Sequence, residues 1–368
     1  MVRTLIHSEG AKSYIYIIVI GIKSTTYHDM YNFLLSPLFY TIIIIKHMSL
    51  FASIDVGSNT IRLLIGTIED NRILDVFTSR KITRLASGIS GKHGIRKLPF
   101  KKSAEVLKDF SAIISQHKIR FIKAVGTSAL REASNADAFI DKVFSETGIS
   151  IEVISGEQEA ELTMKGISFS LINSPFESRP LLVMDIGGGS TEWVFSQENS
   201  LFLSGSIPVG VIKLAREYNI SDPPSKSQAK RMQNMFLGFL RDIQKTTGHF
   251  QERAHFIGTA GTFTTLASID LALEKYSREK IHLHTLPIRR LKKMYTELSS
   301  ISLRERKHVR GLEPERADLI IPGLHFTINA MDFFHFKELT VSDYGLLEGV
   351  LIELRDSVEK NISAARKS

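Results

Sequence analysis

Two short loops in this sequence combine aspartate, glycine and hydroxyl residues in a way that suits phosphate chemistry. The first is Asp55-Val-Gly-Ser-Asn-Thr60 and the second is Asp185-Ile-Gly-Gly-Gly-Ser-Thr191. Each follows a short apolar run, and its small residues allow the backbone to turn sharply and approach a ligand closely. Successive backbone N–H groups in such a turn bind an anion, while the aspartate can hold Mg²⁺ directly or through water.

One loop of this kind could equally be a glycine-rich hairpin with an aspartate at its turn. Two loops, each opening one half of a repeated pattern of strands and helices, favour a phosphate site instead. We therefore expect Asp55 and Asp185 to be ligands of Mg²⁺, with Mn²⁺ as a possible substitute. The residues that we expect to bind phosphate are Gly57, Ser58, Asn59, Thr60, Gly187, Gly188, Gly189, Ser190 and Thr191.

Hydrolysis of a phosphate bond needs a base that orients water and takes its proton. Glu157, Glu159 and Glu161 lie together near the start of a predicted helix, in the stretch that links the two halves. From the residues alone, each of the three could be this base, or all three could be solvated helix charges.

Arginine can bind phosphate oxygens through two parallel hydrogen bonds. Arg62 follows the first loop on its outgoing strand, and Arg131 is predicted to open a helix after Thr127-Ser128. Arg316 is a weaker candidate for phosphate binding, because it could simply pair with Glu315 or Asp318.

The elements that must position these residues form a repeated order of three strands followed by alternating helices and strands. This alternation predicts an α/β fold whose two similar halves face each other across a cleft. The predicted strands are 50–56, 61–68, 73–78, 121–125 and 151–154, then 180–184, 191–196, 201–207 and 255–257. The predicted helices are 102–116, 136–147 and one that begins near Glu157, then 212–218, 225–246 and 262–271.

Composition excludes several kinds of site. The chain has no cysteine, which rules out disulfides, thiolate metal sites and cysteine nucleophiles and suits a cytoplasmic location. The net charge of +8 favours an anionic partner, yet we find no nucleic-acid-binding module. We expect no membrane partner for residues 48–368. Met48 directly precedes the first strand, so we expect it to be the native start and residues 1–47 to be an over-extended N-terminus; a membrane-associated leader is the alternative.

An ordered set of motifs from residue 49 to about 352 resembles the exopolyphosphatase and guanosine pentaphosphate phosphohydrolase (Ppx/GppA) family. The motifs are Phe51-Ala-Ser-Ile-Asp-Val-Gly-Ser-Asn-Thr-Ile-Arg-Leu63, Ala124-Val-Gly-Thr-Ser-Ala-Leu-Arg-Glu-Ala133, Ile151-Glu-Val-Ile-Ser-Gly-Glu-Gln-Glu-Ala160, Val183-Met-Asp-Ile-Gly-Gly-Gly-Ser-Thr-Glu192, Gly258-Thr-Ala-Gly-Thr262, Gly311-Leu-Glu-Pro-Glu-Arg-Ala-Asp318 and Val341-Ser-Asp-Tyr-Gly-Leu-Leu-Glu-Gly349.

This resemblance implies two ribonuclease H-like domains of the actin-like ATPase type facing a central cleft. Residues 48–160, joined by 343–368, would form the first domain, and residues 161–342 the second. It also selects Glu159 as the base and supports Arg62 and Arg131 as catalytic contacts. Glu161 stands where the family often has arginine, so the resemblance does not carry over a positive contact at this position.

The function that the resemblance implies is release of terminal orthophosphate from a polyanion, either inorganic polyphosphate or guanosine pentaphosphate, by a homodimer. We expect the short, two-domain form of the family, without the C-terminal helical module of its longer members, so the resemblance does not extend to processive handling of long polyphosphate. Two alternatives remain within the same superfamily. One is an ATP-dependent kinase, for which we find no acceptor pocket, and the other is an actin-like nucleotide-dependent protein.

Overall fold

The computed structural model describes residues 49–89, 93–197, 201–217, 221–248 and 254–365. The expectations about residues 1–47 and about a start at Met48 lie outside these ranges. Among the described residues, no helix is both long enough and apolar enough to span a bilayer.

The first half of the described chain contains a mixed sheet. Its described strands are β1 (Phe51–Val56), β2 (Thr60–Glu69), β3 (Arg72–Ile82), β4 (Phe121–Gly126) and β5 (Ile151–Val153), in the order β3-β2-β1-β4-β5. β1 is buried along its whole length, runs antiparallel to β2 and parallel to β4. Burial on both faces suits the apolar residues of β1, and the buried Ser53 hydroxyl donates to the Leu347 carbonyl at 2.8 Å.

Helices α1 (Lys97–Gln116), α2 (Ser128–Glu132) and α3 (Ala136–Thr147) accompany this sheet. α1 and α3 pack against each other and contribute Phe110 and Phe139 to an apolar core shared with the strands. This core holds β1 in place, and with it the loop that begins at Asp55.

A second mixed sheet repeats this arrangement. Its described strands are β6 (Leu181–Ile186), β7 (Thr191–Gln197), β8 (Leu201–Ile207), β9 (His255–Thr259), β10 (His284–Pro287) and β11 (Glu338–Val341), in the order β10-β11-β9-β6-β7-β8. β6 pairs antiparallel with β7 and parallel with β9, as β1 does with β2 and β4. The repeat of strand order seen in the sequence is therefore a repeat of topology.

The helices of the second half surround its sheet and enclose the largest apolar core. They are α5 (Val211–Glu217), α6 (Lys226–Thr247), α7 (Ala260–Asp270), α8 (Arg278–Ile281), α9 (Ile288–Ser299), α10 (Leu303–Arg306) and α11 (Ile320–Phe333), with a 3-10 turn at Pro314–Arg316. Buried phenylalanines such as Phe236, Phe256 and Phe263 fill this core.

Two helices link the halves and pack on one another: α4 (Gly156–Ser170), and α12 (Leu346–Ala365) at the C-terminal end of the described chain. α4 begins at a capping box, in which the Ser155 hydroxyl accepts from the Gln158 N–H and the Gln158 side chain accepts from the Ser155 N–H. α4 contacts β7 and β8, whereas α12 packs on β1 and β2. The α/β class predicted from the sequence is confirmed.

Candidate active site

The two predicted phosphate loops have matching backbone geometry. In the first, the Gly57 N–H donates to the Thr60 carbonyl at 3.1 Å, and in the second the Gly187 N–H donates to the Ser190 carbonyl at 3.0 Å. Each loop joins two antiparallel strands, so each aspartate has a partner directly across its strand pair. That partner is Arg62 for Asp55, but Glu192 for Asp185.

The loops meet at one end of a cavity of about 590 Å³. A Cβ atom added at Gly189 would lie 2.4 Å from the Ser128 Oγ and 2.7 Å from the Ser58 Oγ. A side chain here would therefore force Ser58 of the first loop and Ser128 at the start of α2 to move. The backbone of one loop and the side chains of the other thus lie in van der Waals contact.

In the first loop, Asp55 is buried and forms an ion pair with Arg62. The Arg62 Nε donates to the Asp55 Oδ2 at 2.8 Å. Three buried side-chain oxygens of this loop have no hydrogen-bond partner among the described residues: Asp55 Oδ1, Ser58 Oγ and Asn59 Oδ1. Buried polar atoms are nearly always satisfied in proteins, so three unsatisfied atoms in one loop indicate a place for a ligand or for water.

In the second loop, two acids face each other. Burial, together with the neighbouring Glu192 carboxylate, raises the pKa of Asp185 to about 7 against the opposing effect of Arg62. Burial also raises the pKa of Glu192, although its carboxylate accepts a hydrogen bond from the Ser206 hydroxyl at 2.8 Å. This buried pair is stabilised by a proton or by a cation, because two buried carboxylates in proximity repel each other.

Glu159 is the one glutamate of the three candidates that is buried and lines the cavity; Glu157 and Glu161 are exposed. A spacing of two residues on a helix turns side chains to opposite faces, which explains the difference. Burial raises the pKa of Glu159 well above its usual value, and the Glu192 carboxylate adds to this effect. Arg131 acts in the opposite direction, because its Nη1 donates to the Glu159 Oε2 at 2.7 Å.

Arg131 does not occupy the position that the sequence predicted. It lies near the end of the short helix α2, because that helix begins at Ser128; the prediction that Arg131 opens a helix was wrong. Its Nη1 also donates to the Ile154 carbonyl at 2.9 Å, which anchors the guanidinium beside α4. Arg131 therefore reaches the site through Glu159 and is not among the residues that line the cavity.

The structure brings most of the predicted site residues together. Thr191 is an exception, since it is fully buried and its hydroxyl donates to the Val209 carbonyl at 2.8 Å, outside the cavity lining. Arg316 does line the cavity, and it pairs with Glu313 where the sequence suggested Glu315 or Asp318. The predicted site residues that line the cavity are Asp55, Gly57, Ser58, Asn59, Thr60, Arg62, Glu159, Asp185, Gly187, Gly188, Gly189, Ser190 and Arg316.

The sequence did not indicate several charged residues that the fold adds to this site. Glu192 ends the motif of the second phosphate loop but was given no role, and the pairing of β6 with β7 places it opposite Asp185. Arg278 donates to Asp75 and Asp343 at 2.6 Å each, and it also pairs with Glu348. Asp75 lies far along the chain from Asp343 and Glu348, which share one motif, so the meeting of all three at Arg278 follows only from the fold.

The acidic residues at the loops fit a hard divalent cation only in part. Among the described residues, no group of three or more His, Asp and Glu side chains is arranged to hold a metal ion. Asp185 and Glu192 nevertheless supply two buried carboxylates, and Asp55 Oδ1 is a buried oxygen without a partner. Mg²⁺ is commonly bound by one or two carboxylates and completes its shell with phosphate oxygens and water. The donor set therefore fits Mg²⁺ when a phosphate is also present.

Comparison with known proteins gives a consistent picture. Residues 64–358 match the family model described as the Ppx/GppA phosphatase family. The chain is 31% identical over 323 residues to a bifunctional 3-dehydroquinate synthase/phosphatase of Fusobacterium nucleatum, covering 84% of this chain and 47% of that protein. The chain thus spans about half the length of that relative.

Two further relatives have names that specify a reaction. Exopolyphosphatase 2 of Mycobacterium tuberculosis is 28% identical over 316 residues, covering 82% of this chain and 98% of that protein. A guanosine-5'-triphosphate,3'-diphosphate pyrophosphatase of Vibrio parahaemolyticus is 26% identical over 319 residues, covering 86% of this chain and 61% of that protein.

Solved structures match the fold over most of the chain. The Ppx/GppA family member of Aquifex aeolicus superimposes with a TM-score of 0.72 at 30% identity, covering 85% of this chain and 99% of that one. An exopolyphosphatase of Cytophaga hutchinsonii gives a TM-score of 0.77 at 30% identity, covering 84% and 98%. The predicted fold, two ribonuclease H-like domains of the actin-like ATPase type facing a cleft, is confirmed.

Proposed function

This chain belongs to the Ppx/GppA phosphatase family, and from that premise we propose that it hydrolyses the terminal phosphoanhydride bond of a polyphosphate chain. The observation that carries this proposal is Glu159, a buried carboxylate on the wall of the cavity where the two phosphate loops meet. A carboxylate whose pKa is raised by burial is a stronger proton acceptor than an exposed one when it is ionised.

Each part of the site has a role in this reaction. The backbone N–H groups of the loops bind the terminal phosphate, and Glu159 takes the proton from the attacking water. Arg131 holds the Glu159 carboxylate in position at 2.7 Å and favours its ionised form. Arg62 lies beside the first loop, where its remaining N–H groups can offset the charge of the departing phosphate.

We propose Asp185, with Asp55, as ligands of Mg²⁺ or Mn²⁺, and Glu192 as an addition to this set. Two observations support this assignment. The buried carboxylates of Asp185 and Glu192 repel each other, and the Oδ1 of Asp55 has no hydrogen-bond partner among the described residues. When bound, the cation supplies positive charge to the phosphate oxygens during bond cleavage.

The proposed substrates follow from the relatives named above. One is an exopolyphosphatase and another acts on a guanosine triphosphate diphosphate. We therefore propose inorganic polyphosphate and guanosine pentaphosphate as the two substrates to compare.

The experiment is a side-by-side measurement of orthophosphate release from both substrates, with Mg²⁺ and with a chelator. We expect release from at least one substrate, dependent on the cation and increasing from zero as Mg²⁺ is added back. Release that is unchanged by the chelator would reject the metal assignment. No release from either substrate would reject the proposed reaction.

A further inference from the structure

The first phosphate loop is held from behind by the segment that follows β3. The Asn59 carbonyl accepts from the Thr83 and Arg84 N–H groups at 3.0 Å each. The Arg84 guanidinium extends to the other half of the protein, where it donates to the Asp318 carboxylate at 2.9 and 3.0 Å. It also donates to the Glu315 carbonyl at 2.6 Å. Arg84 therefore joins the first loop to the opposite half through a single residue.

The second phosphate loop is held in the same way by the start of α5. The Val211 N–H donates to the Gly187 carbonyl at 2.9 Å. Further along α5, the Lys213 Nζ donates across to the first half, to the Glu132 Oε1 at 2.7 Å. The same oxygen accepts from the Ser128 hydroxyl at 2.8 Å, and Ser128 contacts the second loop. Glu132 is thus bonded both to the helix that supports this loop and to a side chain that touches it.

The two ion pairs, Arg84–Asp318 and Lys213–Glu132, are referred to below as the two tethers. Each tether ends beside an arginine of the site. Glu132 directly follows Arg131, which holds Glu159 at 2.7 Å. Asp318 lies two residues after Arg316, which lines the cavity. Each tether therefore links the phosphate loop of one half to the segment of the other half that carries such an arginine.

The stability of the fold does not account for the tethers. The side chains are 40% and 35% exposed in the Arg84–Asp318 pair, and 17% and 38% exposed in the Lys213–Glu132 pair. Ion pairs with this exposure contribute little to folding. Arg84 has in addition a φ of 53°, a left-handed conformation that costs free energy for a residue with a Cβ. Strain of this kind occurs most often where a functional site must be held in one geometry.

We propose that Arg84 and Lys213 are positioning residues for the hydrolysis. Each fixes the phosphate loop of its own half against the arginine-bearing segment of the other half. Neither side chain is among those that line the cavity, so both act through the groups that they hold. The inference rests on the proposed function for the reaction whose geometry is set. A displacement of about 1 Å between reacting groups can lower a rate about 10²-fold, so a lost tether should lower turnover.

Lys213→Met tests the second tether. We expect kcat to fall about tenfold and KM to change less than about twofold, because the second loop and the Arg131–Glu159 pair no longer keep a fixed distance. Lys213→Arg keeps the charge and should keep kcat within about twofold of the native value. Glu132→Gln should lower kcat as Lys213→Met does. The double variant should be no slower than either single variant, since all three break one link.

Arg84→Asn tests the first tether, because asparagine tolerates the left-handed backbone but lacks the guanidinium. We expect kcat/KM to fall about tenfold in this variant and in Asp318→Asn. Asp332→Asn is the matched control. It breaks an ion pair with Lys292 at 2.7 Å that lies within the second half, and it should leave both kinetic constants unchanged. The thermal midpoints of all these variants should stay close to the native one.

A distance measurement tests the tethers without reference to activity. The chain has no cysteine, so cysteines introduced at the exposed residues Ala138 of α3 and Asn234 of α6 can carry a pair of spin labels. Pulsed electron spin resonance then measures the distance between the two halves without substrate. We expect a broader distribution of distances in a protein that carries both Arg84→Asn and Lys213→Met than in its parent.

Native kinetic constants in the tether variants, together with an unchanged distribution of distances, would overturn the proposal. An equal loss of activity in Asp332→Asn, or a large fall in the thermal midpoint of every tether variant, would also overturn it, because either result means a general structural role. Absence of any phosphate release by the native protein would reject the proposed function instead. The spin-label distances would then still decide whether the tethers hold the two halves in one arrangement.

Discussion

Glu159 has the same side chain as Glu157 and Glu161 on α4 but lies in different surroundings. It is 7% exposed, contacts Arg131 and lies near Glu192, whereas Glu157 and Glu161 face solvent. A buried carboxylate held by an arginine in a phosphate cavity is preorganised to accept a proton from water. The proposed reaction depends on this residue more than on any other.

We predict that Glu159→Gln lowers kcat by roughly 10²-fold or more, because the amide keeps the shape of the side chain but cannot take a proton. The measurement is orthophosphate release under saturating substrate, with circular dichroism to verify the fold. Glu157→Gln and Glu161→Gln are matched controls on the same helix and should keep near-native rates. An inactive Glu157→Gln beside an active Glu159→Gln would assign the base to the other residue.

We predict that Arg131→Gln moves the acidic limb of the pH–rate profile to higher pH. Glu159 must be ionised to act, so turnover falls as pH drops through its pKa. Burial and Glu192 raise that pKa while Arg131 lowers it, so removing the cation raises it further. Arg131→Lys keeps the charge and should shift the limb less. A limb that stays in place in Arg131→Gln would show that this ion pair does not control the base.

At the residue scale, the sequence predicted those site residues that lie within motifs. Asp55, Asp185 and Glu159 each sit in a stretch whose residue types already suggest their chemistry. Arg80 lies outside these motifs, and its contact with Glu313 joins residues far apart in the chain. Glu192 lies in the second loop motif, but its place opposite Asp185 arises from strand pairing. Arg62 was predicted from its place after the first loop, whereas its pairing with Asp55 comes from the register of β1 and β2.

The elements most important to the site are the two loops, which touch through glycine. We predict that Gly189→Ala lowers activity at least tenfold, because its Cβ would lie 2.4 Å from the Ser128 Oγ and force the loops apart. Activity and thermal midpoint should be measured together. Gly238→Ala is the control: nothing lies within 4 Å of an added Cβ there, and alanine in the middle of α6 should stabilise by about 0.5–1 kcal/mol. Native activity in Gly189→Ala would show that the loops need not touch.

Element boundaries were predictable where a local signal marks them. The start of α4 follows from Ser155 and Gln158, whose side chains form a capping box, and α3 matches its predicted range of 136–147. α1 begins at Lys97, earlier than predicted, because the basic stretch before Lys102 gave no helical pattern. A helix was predicted to open at Arg131, but the five-residue helix α2 begins at Ser128, because so short an element carries no periodicity that would fix its start.

At the scale of the whole molecule, ion pairs join residues of the two sheets and their helices. Arg84 donates to Asp318 at 2.9 and 3.0 Å, and both side chains are partly exposed. Arg278 instead pairs with Glu348, which is buried to 1% exposure and also accepts from the Gly345 N–H. These two links should therefore contribute very differently to stability. The sequence could not reveal either, because each joins residues tens to hundreds of positions apart.

We predict that Arg278→Met lowers the free energy of unfolding by about 3–5 kcal/mol, because it leaves a buried carboxylate without its cation. Asp318→Asn should change it by less than about 1 kcal/mol, since half-exposed ion pairs contribute little. Urea unfolding of both variants measures the difference. Equal and small changes in the free energy of unfolding of the two variants would mean that Glu348 is rehydrated or protonated when Arg278 is replaced.

The most direct test of hydrolysis with Glu159 as the base follows the oxygen of water into the released orthophosphate. With Mg²⁺ present, the protein is incubated in ¹⁸O-labelled water with guanosine pentaphosphate or inorganic polyphosphate, and the released orthophosphate is examined by mass spectrometry. Hydrolysis at Glu159 predicts one labelled oxygen in each orthophosphate at early times and loss of the signal in Glu159→Gln. Phosphate that appears only on an added acceptor, or orthophosphate released equally by Glu159→Gln, would contradict this account.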